Sequence, residues 1–236
     1  MCKPLAIDLF AGLGGWTEGL LAEGYDVIGF DIERHQYGDH KYPAQLVLQD
    51  VLTLHGSQFK DAALIVASPP CQAYSYRAMP WKRAKALPPP DNSLFEACFR
   101  IQREACEAAG RHIPMVVENV RGAQKWVGRA RWNFGSFYLW GDVPALMPMA
   151  FKQRPKFILD DMAGGQRRSV EGFYEDGRKV GKDCFGGYGG GFGWDCSPMR
   201  RNSSKSNARK AASAMIAKIP LPLSRHIAAT WKPRDE

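Results

Sequence analysis

Short apolar runs, each closing on a carboxylate, a cysteine or a glycine turn, recur through the first 150 residues. They are Leu5-Ala6-Ile7-Asp8-Leu9-Phe10, Val27-Ile28-Gly29-Phe30, Leu46-Val47-Leu48, Ala62-Ala63-Leu64-Ile65-Val66, Ile113-Pro114-Met115-Val116-Val117 and Phe137-Tyr138-Leu139-Trp140. Runs this continuous read as strands buried on both faces. Between them the period lengthens. Trp16 to Ala22 is helical in pattern, and Gly24 fits its stop. Ser93 opens a second helix, with Glu96 three residues on in a capping-box pattern. Its apolar positions are 94, 95, 98, 101, 105 and 108, and Gly110 ends it. Helical pattern returns over Ala208 to Lys218, breaks at Ile219-Pro220-Leu221-Pro222, and resumes from Leu223 to Thr230. Strands alternating with helices predict an α/β chain.

The segments that follow the strands carry the candidate chemistry, because open α/β sheets bind ligands at the carboxyl ends of their strands. Ala11-Gly12-Leu13-Gly14-Gly15 is a tight glycine loop between the first strand and the first helix. The second strand ends in Asp31-Ile32-Glu33, which completes a βαβ unit with an acid placed to accept from ribose hydroxyls. The glycine spacing is not G-x-G-x-x-G, so a dinucleotide is not the first choice. The third strand ends in Gln49-Asp50 and the fifth in Glu118-Asn119-Val120. After the fourth stands Ala67-Ser68-Pro69-Pro70-Cys71-Gln72. Each proline there fixes its own φ and biases the residue before it towards extended geometry, so Cys71 is a thiol on a stiff turn. The plainer readings are a half-buried cysteine in a proline-rich loop and a solvated or capping acid at 118.

A chain of 236 residues, 45% hydrophobic and 24% charged, is globular, with one sizeable core and room for a small second lobe. No apolar run is long enough to cross a membrane. Met1-Cys2-Lys3-Pro4 leads directly into a strand with no secretory h-region, so a cytoplasmic protein is expected. The six cysteines form no C-x-x-C pair and are expected as thiols, Cys98 and Cys106 within a helix core. The net charge of +8 suits a polyanion. Residues 73–92 interleave Tyr74, Tyr76 and Trp81 with Arg77, Lys82, Arg83 and Lys85, a composition that suits stacked bases and phosphates. Residues 151–207 are rich in Lys, Arg and Gly, with six glycines between Phe185 and Trp194, and read as an irregular second lobe.

Three of these segments together resemble the cytosine-C5 DNA methyltransferases. Asp8-Leu9-Phe10-Ala11-Gly12-Leu13-Gly14-Gly15 is similar to the family's cofactor motif, Pro70-Cys71-Gln72 to its nucleophile motif, and Glu118-Asn119-Val120 to its catalytic motif. They occur in the family's order, each after an expected strand. The resemblance covers roughly the first 150 residues and implies a Rossmann-like class I methyltransferase sheet of about seven strands, mostly parallel. S-adenosyl-L-methionine would lie across its carboxyl edge, with Phe10 at the adenine and the backbone of Ala11, Gly12, Leu13, Gly14 and Gly15 at the methionine part. Asp31 would hold the ribose, Ile32 would pack on the adenine and Asp50 would bind its amino group; Pro70 also borders that site. The implied partner is double-stranded DNA, bound by a monomer, with Gln72, Asn119 and Arg129 at the substrate.

The family's Gln-x-Arg-x-Arg motif is not present as such. Arg129-Ala130-Arg131 is its best counterpart, and Arg154 after Gln153 the second choice. The C-terminal Gly-Asn-Ser cofactor motif is absent, and Ser213 to Lys218 occupies its place. The expected organisation is a catalytic domain over 1–150, a target-recognition region over 151–207 and a helical segment over 208–236 that returns to the catalytic domain. So short a chain resembles phage or prophage members, with restriction-modification or phage self-protection as the setting.

The chemistry explains the residue types. Cytosine C5 is a poor nucleophile until a thiolate adds to C6 and makes C5–C6 part of an enamine, which demands a cysteine, here Cys71. The addition pushes charge onto N3, where Glu118 would act as the acid. Arg131 would offset charge at O2. No metal is needed, and the target cytosine must leave the stack. Exocyclic-amino methyltransferases place an aromatic residue where Cys71-Gln72 stands, which disfavours them. A cytosine-C5 transfer-RNA methyltransferase and a catalytically idle DNA-binding relative are the remaining alternatives.

Overall fold

The computed structural model describes residues 3–75, 88–148 and 207–233. The tip of the basic aromatic loop, residues 151–206 and the second-choice Arg154 lie outside them.

Seven strands form one sheet: β1 (Leu5–Leu9), β2 (Asp26–Asp31), β5 (Gln45–Leu48), β6 (Leu64–Ala67), β7 (Met115–Asn119), β8 (Trp132–Phe134) and β9 (Phe137–Gly141). Their spatial order is β5-β2-β1-β6-β7-β9-β8. The first five are parallel; β9 runs antiparallel to β7 and to β8. This is the mostly parallel Rossmann-like α/β sheet that the resemblance implies. Two short antiparallel strands, β3 (Gln36–Tyr37) and β4 (His40–Lys41), form a separate hairpin.

Successive strand residues face opposite layers, and the core divides accordingly. Ile7, Leu9, Ile65, Met115 and Val117 pack against Phe95 and Ile101 of α2 (Ser93–Ala109). Ala6, Leu64, Val66, Val116 and Leu139 pack against Trp16 and Leu20 of α1 (Gly15–Ala22). Beside α1 lie Leu223 and Ile227 of α5 (Leu221–Trp231). A one-turn α3 (Gln124–Val127) and α4 (Asn207–Ala217) complete the helices described.

α2 ends as expected, on left-handed Gly110. Its start differs from the capping box. The N-cap is Asn92, whose side chain makes no capping bond, and the Asp91 carboxylate accepts from the Ser93 N–H at 2.8 Å instead. Pro222 does not separate the two C-terminal helices: Pro220 is the N-cap of α5 and Pro222 lies in its first turn, where no N–H is needed.

α5 lies against α1 closely enough to explain two glycines. A Cβ on Gly15 would meet the Ile219 nitrogen at 2.4 Å, and one on Gly19 would meet Ser224 Oγ at 2.3 Å and the Arg225 nitrogen at 2.5 Å. Around that contact Lys218 Nζ bonds Glu18 Oε1 at 2.5 Å and Arg225 Nε bonds Glu23 Oε1 at 2.7 Å. The Tyr25 hydroxyl donates to the Ala228 carbonyl at 3.0 Å. Gly19→Ala should therefore destabilise the protein by about 1–3 kcal/mol, the usual cost of overpacking, measured as a shift of the urea midpoint. Gly38→Ala has open space around it and tests only its local φ of 59°.

Candidate active site

Strand register sets the site. Val47, Phe30, Leu9, Ala67 and Val117 lie opposite one another across five parallel strands. One residue further along each strand stand Leu48, Asp31, Phe10, Ser68 and Glu118. The chain runs from β1 out to β2 and β5 on one side and then to β6 and β7 on the other, so the topological switch point, where such sheets open a crevice, lies between β1 and β6. The glycine loop, the Asp31 turn, the cysteine loop and the Glu-Asn-Val segment thus share one edge.

Asp31 closes the glycine loop. It is buried, and its Oδ2 accepts the Gly12 N–H at 2.8 Å. Oδ1 accepts the Glu33 N–H at 3.3 Å and faces His35 Nε2 at 3.7 Å. Burial alone would raise this carboxyl, but the bonds from His35, Gly12 and Glu33 outweigh it and hold Asp31 below the usual carboxylate range. The bond to Asp31 in turn raises His35. Phe10 has φ 61°, a left-handed conformation that costs a side-chain-bearing residue about 1–2 kcal/mol. Strain of this kind persists where the surroundings over-determine the backbone, commonly at ligand sites. Gly12, with φ 53°, has nothing nearer than 3.9 Å from where a Cβ would sit, so the loop is open there. Gly14 and Gly15 differ: their missing side chains make room for Pro43 and Ile219.

Asp8 lies beneath this loop on the α1 side. Its Oδ2 accepts from Thr17 Oγ1 at 2.6 Å, and the Tyr42 hydroxyl bonds the same Thr17 oxygen at 2.6 Å. Oδ1 is buried with no partner. Burial drives Asp8 up to about 8, with the charge of Asp31 adding to the effect and the Thr17 bond opposing it. Near neutrality the two neighbouring acids therefore divide their roles: Asp31 is ionised and Asp8 holds its proton.

The cysteine loop is pinned from three sides. Asn119 Nδ2 donates a buried bond to the Pro69 carbonyl at 3.0 Å, while Asn119 Oδ1 accepts the Val120 N–H at 2.8 Å. Trp16 Nε1 donates to Ser68 Oγ at 2.9 Å, which ties the loop to the start of α1. Gly122 admits the Tyr74 carbonyl to within 2.2 Å of where a Cβ would lie, so the turns after β6 and β7 touch. The Tyr74 hydroxyl reaches Asn92 Oδ1 at 2.9 Å and joins the stems of the 73–92 loop. Cys71 is half-buried, with φ −90° and ψ −2°, in the sparsely used bridge region where many active-site residues sit. Glu118 is buried on the adjacent strand.

The remaining expected residues separate into exposed and linking positions. Pro70 and Gln72 are exposed beside Cys71, and Ile32 is 73% exposed beside Asp31. Asp50 caps the turn Val51–Thr53 through the Leu52 N–H at 2.9 Å. Arg129 and Arg131 are exposed. Arg131 opens the edge strand β8, two strands outward from β7, and its backbone is level with Val117, one residue short of Glu118. Sequence reading missed the Trp16–Ser68 bond, His35 and the Thr17–Tyr42 link to Asp8. Only His35 carried a local signal, four residues beyond Asp31.

Residues 5–126, more than half of the chain, match the family model of the C-5 cytosine-specific DNA methylases. The chain belongs to that family. It is similar to the type II methyltransferase M.XorII of Xanthomonas oryzae pv. oryzae, 28% identical over 134 residues, which are 52% of this chain and 29% of that protein. Two solved structures are similar in part. One is a proposed DNA modification methyltransferase encoded within a prophage (E. coli), 26% identical over 53% of this chain and 34% of that one, with a TM-score of 0.38. The other is the Entamoeba histolytica methyltransferase EhMeth, 13% identical over 75% of this chain and 64% of that one, with a TM-score of 0.44. The chain thus spans under a third of M.XorII.

The state of Asp8 is open to direct measurement. Its folded value of about 8 stands above the ordinary 3.8, so the folded protein holds the proton more tightly than the unfolded chain. The stability this lends is fully present below pH 3.8 and is lost as pH rises to about 8. Asp8→Asn removes the titration. Its melting temperature relative to the parent should therefore climb between pH 5 and pH 8.5, and a difference that stays flat would contradict a protonated Asp8.

Proposed function

We propose that this chain methylates C5 of cytosine in double-stranded DNA, with Cys71 as the nucleophile and Glu118 as the acid. The observation that carries the reading is the buried Asn119–Pro69 bond at 3.0 Å, which locks the thiol-bearing loop to the strand that carries Glu118. Family membership narrows the chemistry to cytosine C5, and the charge of +8 suits the polyanion.

The donor proposed is S-adenosylmethionine, and the residues at the β1 and β2 ends suit it. Gly12 leaves open space at the loop, ionised Asp31 offers acceptor oxygens for ribose hydroxyls, and exposed Ile32 offers an apolar face. Asp50 would take the adenine amino group, Phe10 the ring, and the backbone of residues 11–15 and Pro70 the rest of the pocket wall. When bound, this cofactor supplies the electrophilic methyl group that C5 takes.

The chain's own residues do the rest. The flipped cytosine enters between the β6 and β7 loops. Cys71 Sγ forms a bond to C6, the C5–C6 π pair becomes a C4–C5 π bond, and the C4–N3 π pair goes to N3. Glu118 holds a proton at N3, where the charge would otherwise accumulate, and Arg131 faces O2. Gln72, Asn119 and Arg129 order the loops around the base. Once C5 carries the methyl group, the N3 pair is back in C4–N3 and its proton on Glu118; water then takes the C5 proton, the C5–H pair becomes the C5–C6 π bond, and the C6–S bond breaks with its pair on sulfur, which regenerates the Cys71 thiolate.

DNA with 5-fluorocytosine at the target tests the covalent step, because fluorine cannot leave C5 as a cation. With S-adenosylmethionine present, one chain per site should remain attached through a denaturing gel, and the adduct should map to Cys71. Cys71→Ala should give none. An adduct at another cysteine, or none with active parent enzyme, would refute this assignment.

A further inference from the structure

At the opposite end of β7 from Glu118, a second thiol sits in a built environment. Cys106, near the end of α2, is half-buried. Its Sγ accepts the Ile113 N–H at 3.2 Å and lies 4.0 Å from His112 Nδ1; as a thiol it also reaches the Ile113 carbonyl at 3.8 Å. His112 Nε2 lies 3.2 Å from Asp142 Oδ2. That oxygen is itself held by Gln102 Nε2 at 2.7 Å and the Met115 N–H at 2.9 Å. Nucleophile, base and orienting carboxylate thus stand in a row.

The order of partners decides where the proton goes. A carboxylate facing Nε2 keeps a proton on that nitrogen, which leaves Nδ1 to accept from the thiol. Nδ1 can therefore take the thiol proton as the sulfur attacks, with the Ile113 N–H as a donor to sulfur. His112 is 61% exposed, so a small molecule can reach the pair. Cys98, on the same helix, is the contrast: it is fully buried, and burial pushes its thiol up to about 12.

We propose that Cys106, His112 and Asp142 form a thiol–disulfide exchange site that takes low-molecular-weight disulfides. The Cys106 thiolate attacks one sulfur of the disulfide. The new Cys106 S–S bond forms as the old S–S bond breaks, and the departing thiolate takes the bonding pair and the proton from His112 Nδ1. Cys106 sulfur is oxidised and the departing sulfur is reduced. The site stands apart from the proposed methyl-transfer residues, because Met115 and Asn119 are the two ends of β7.

The test uses the full chain with glutathione disulfide at pH 7, quenched with acid and read by peptide mass spectrometry. Mixed disulfide at Cys106 should form about tenfold faster than at the same cysteine in urea-unfolded protein, since only the folded chain holds the His112 base beside the attacking sulfur. His112→Asn changes an exposed side chain and should remove that advantage while leaving the Cys71 rate in the same digest unchanged. A native Cys106 rate no greater than the unfolded one, or one untouched by His112→Asn, would overturn the proposal.

Discussion

Backbone bonding between β2, β1, β6 and β7 holds Phe30, Leu9, Ala67 and Val117 opposite one another. The glycine loop, Asp31, Cys71 and Glu118 stand just beyond that line. A slip of one residue in any pair would turn its strand's side chains to the opposite layer and move its loop along the edge. Burial on both faces forbids such a slip, because Ile7 and Leu9 belong to the α2 layer and Ala6 to the α1 layer. The site is thereby positioned by the core. The three loops then need only short links: Gly12 to Asp31, Trp16 to Ser68 and Asn119 to Pro69.

Electrostatics at this edge follows from the same burial. Two acids lie close together at the ends of β1 and β2, and a low-dielectric site does not favour two charges there. Asp31 has donors from His35, Gly12 and Glu33 and stays ionised; Asp8, fully buried, has donors from Thr17 alone and is pushed up to about 8. Packing divides the glycines in a parallel way. Gly12 keeps open space beside the loop, whereas Gly15 and Gly19 make room for Ile219 and α5.

Much of this was legible from the chain. The apolar runs marked six of the seven sheet strands: the interior strands are buried and need unbroken apolar sequence, and the half-exposed edge strand β5 still carries Leu46-Val47-Leu48. β8 was not marked, since Trp132-Asn133-Phe134 is a three-residue edge strand, mostly exposed. The β3–β4 hairpin has no apolar run at all, only the Gly38-Asp39 turn. The capping box at Ser93 failed because Asp91 competes for the same N–H. At the site, the residue types that do chemistry were visible at strand ends. The links between loops were not, because Trp16–Ser68 and Asn119–Pro69 join positions 52 and 50 residues apart. The division of the glycines was equally hidden, since only the fold brings α5 onto α1.

Membership of the C-5 cytosine-specific DNA methylases rests on residues 5–126, which contain the glycine loop, Cys71 and Glu118. The central claim is that this edge makes 5-methylcytosine through Cys71. The most direct measurement is nucleoside mass spectrometry of DNA incubated with the protein and methyl-labelled S-adenosylmethionine. The account predicts label in 5-methylcytosine alone, and none with Cys71→Ala. Label in N4-methylcytosine or N6-methyladenine, or undiminished 5-methylcytosine from Cys71→Ala, would contradict it.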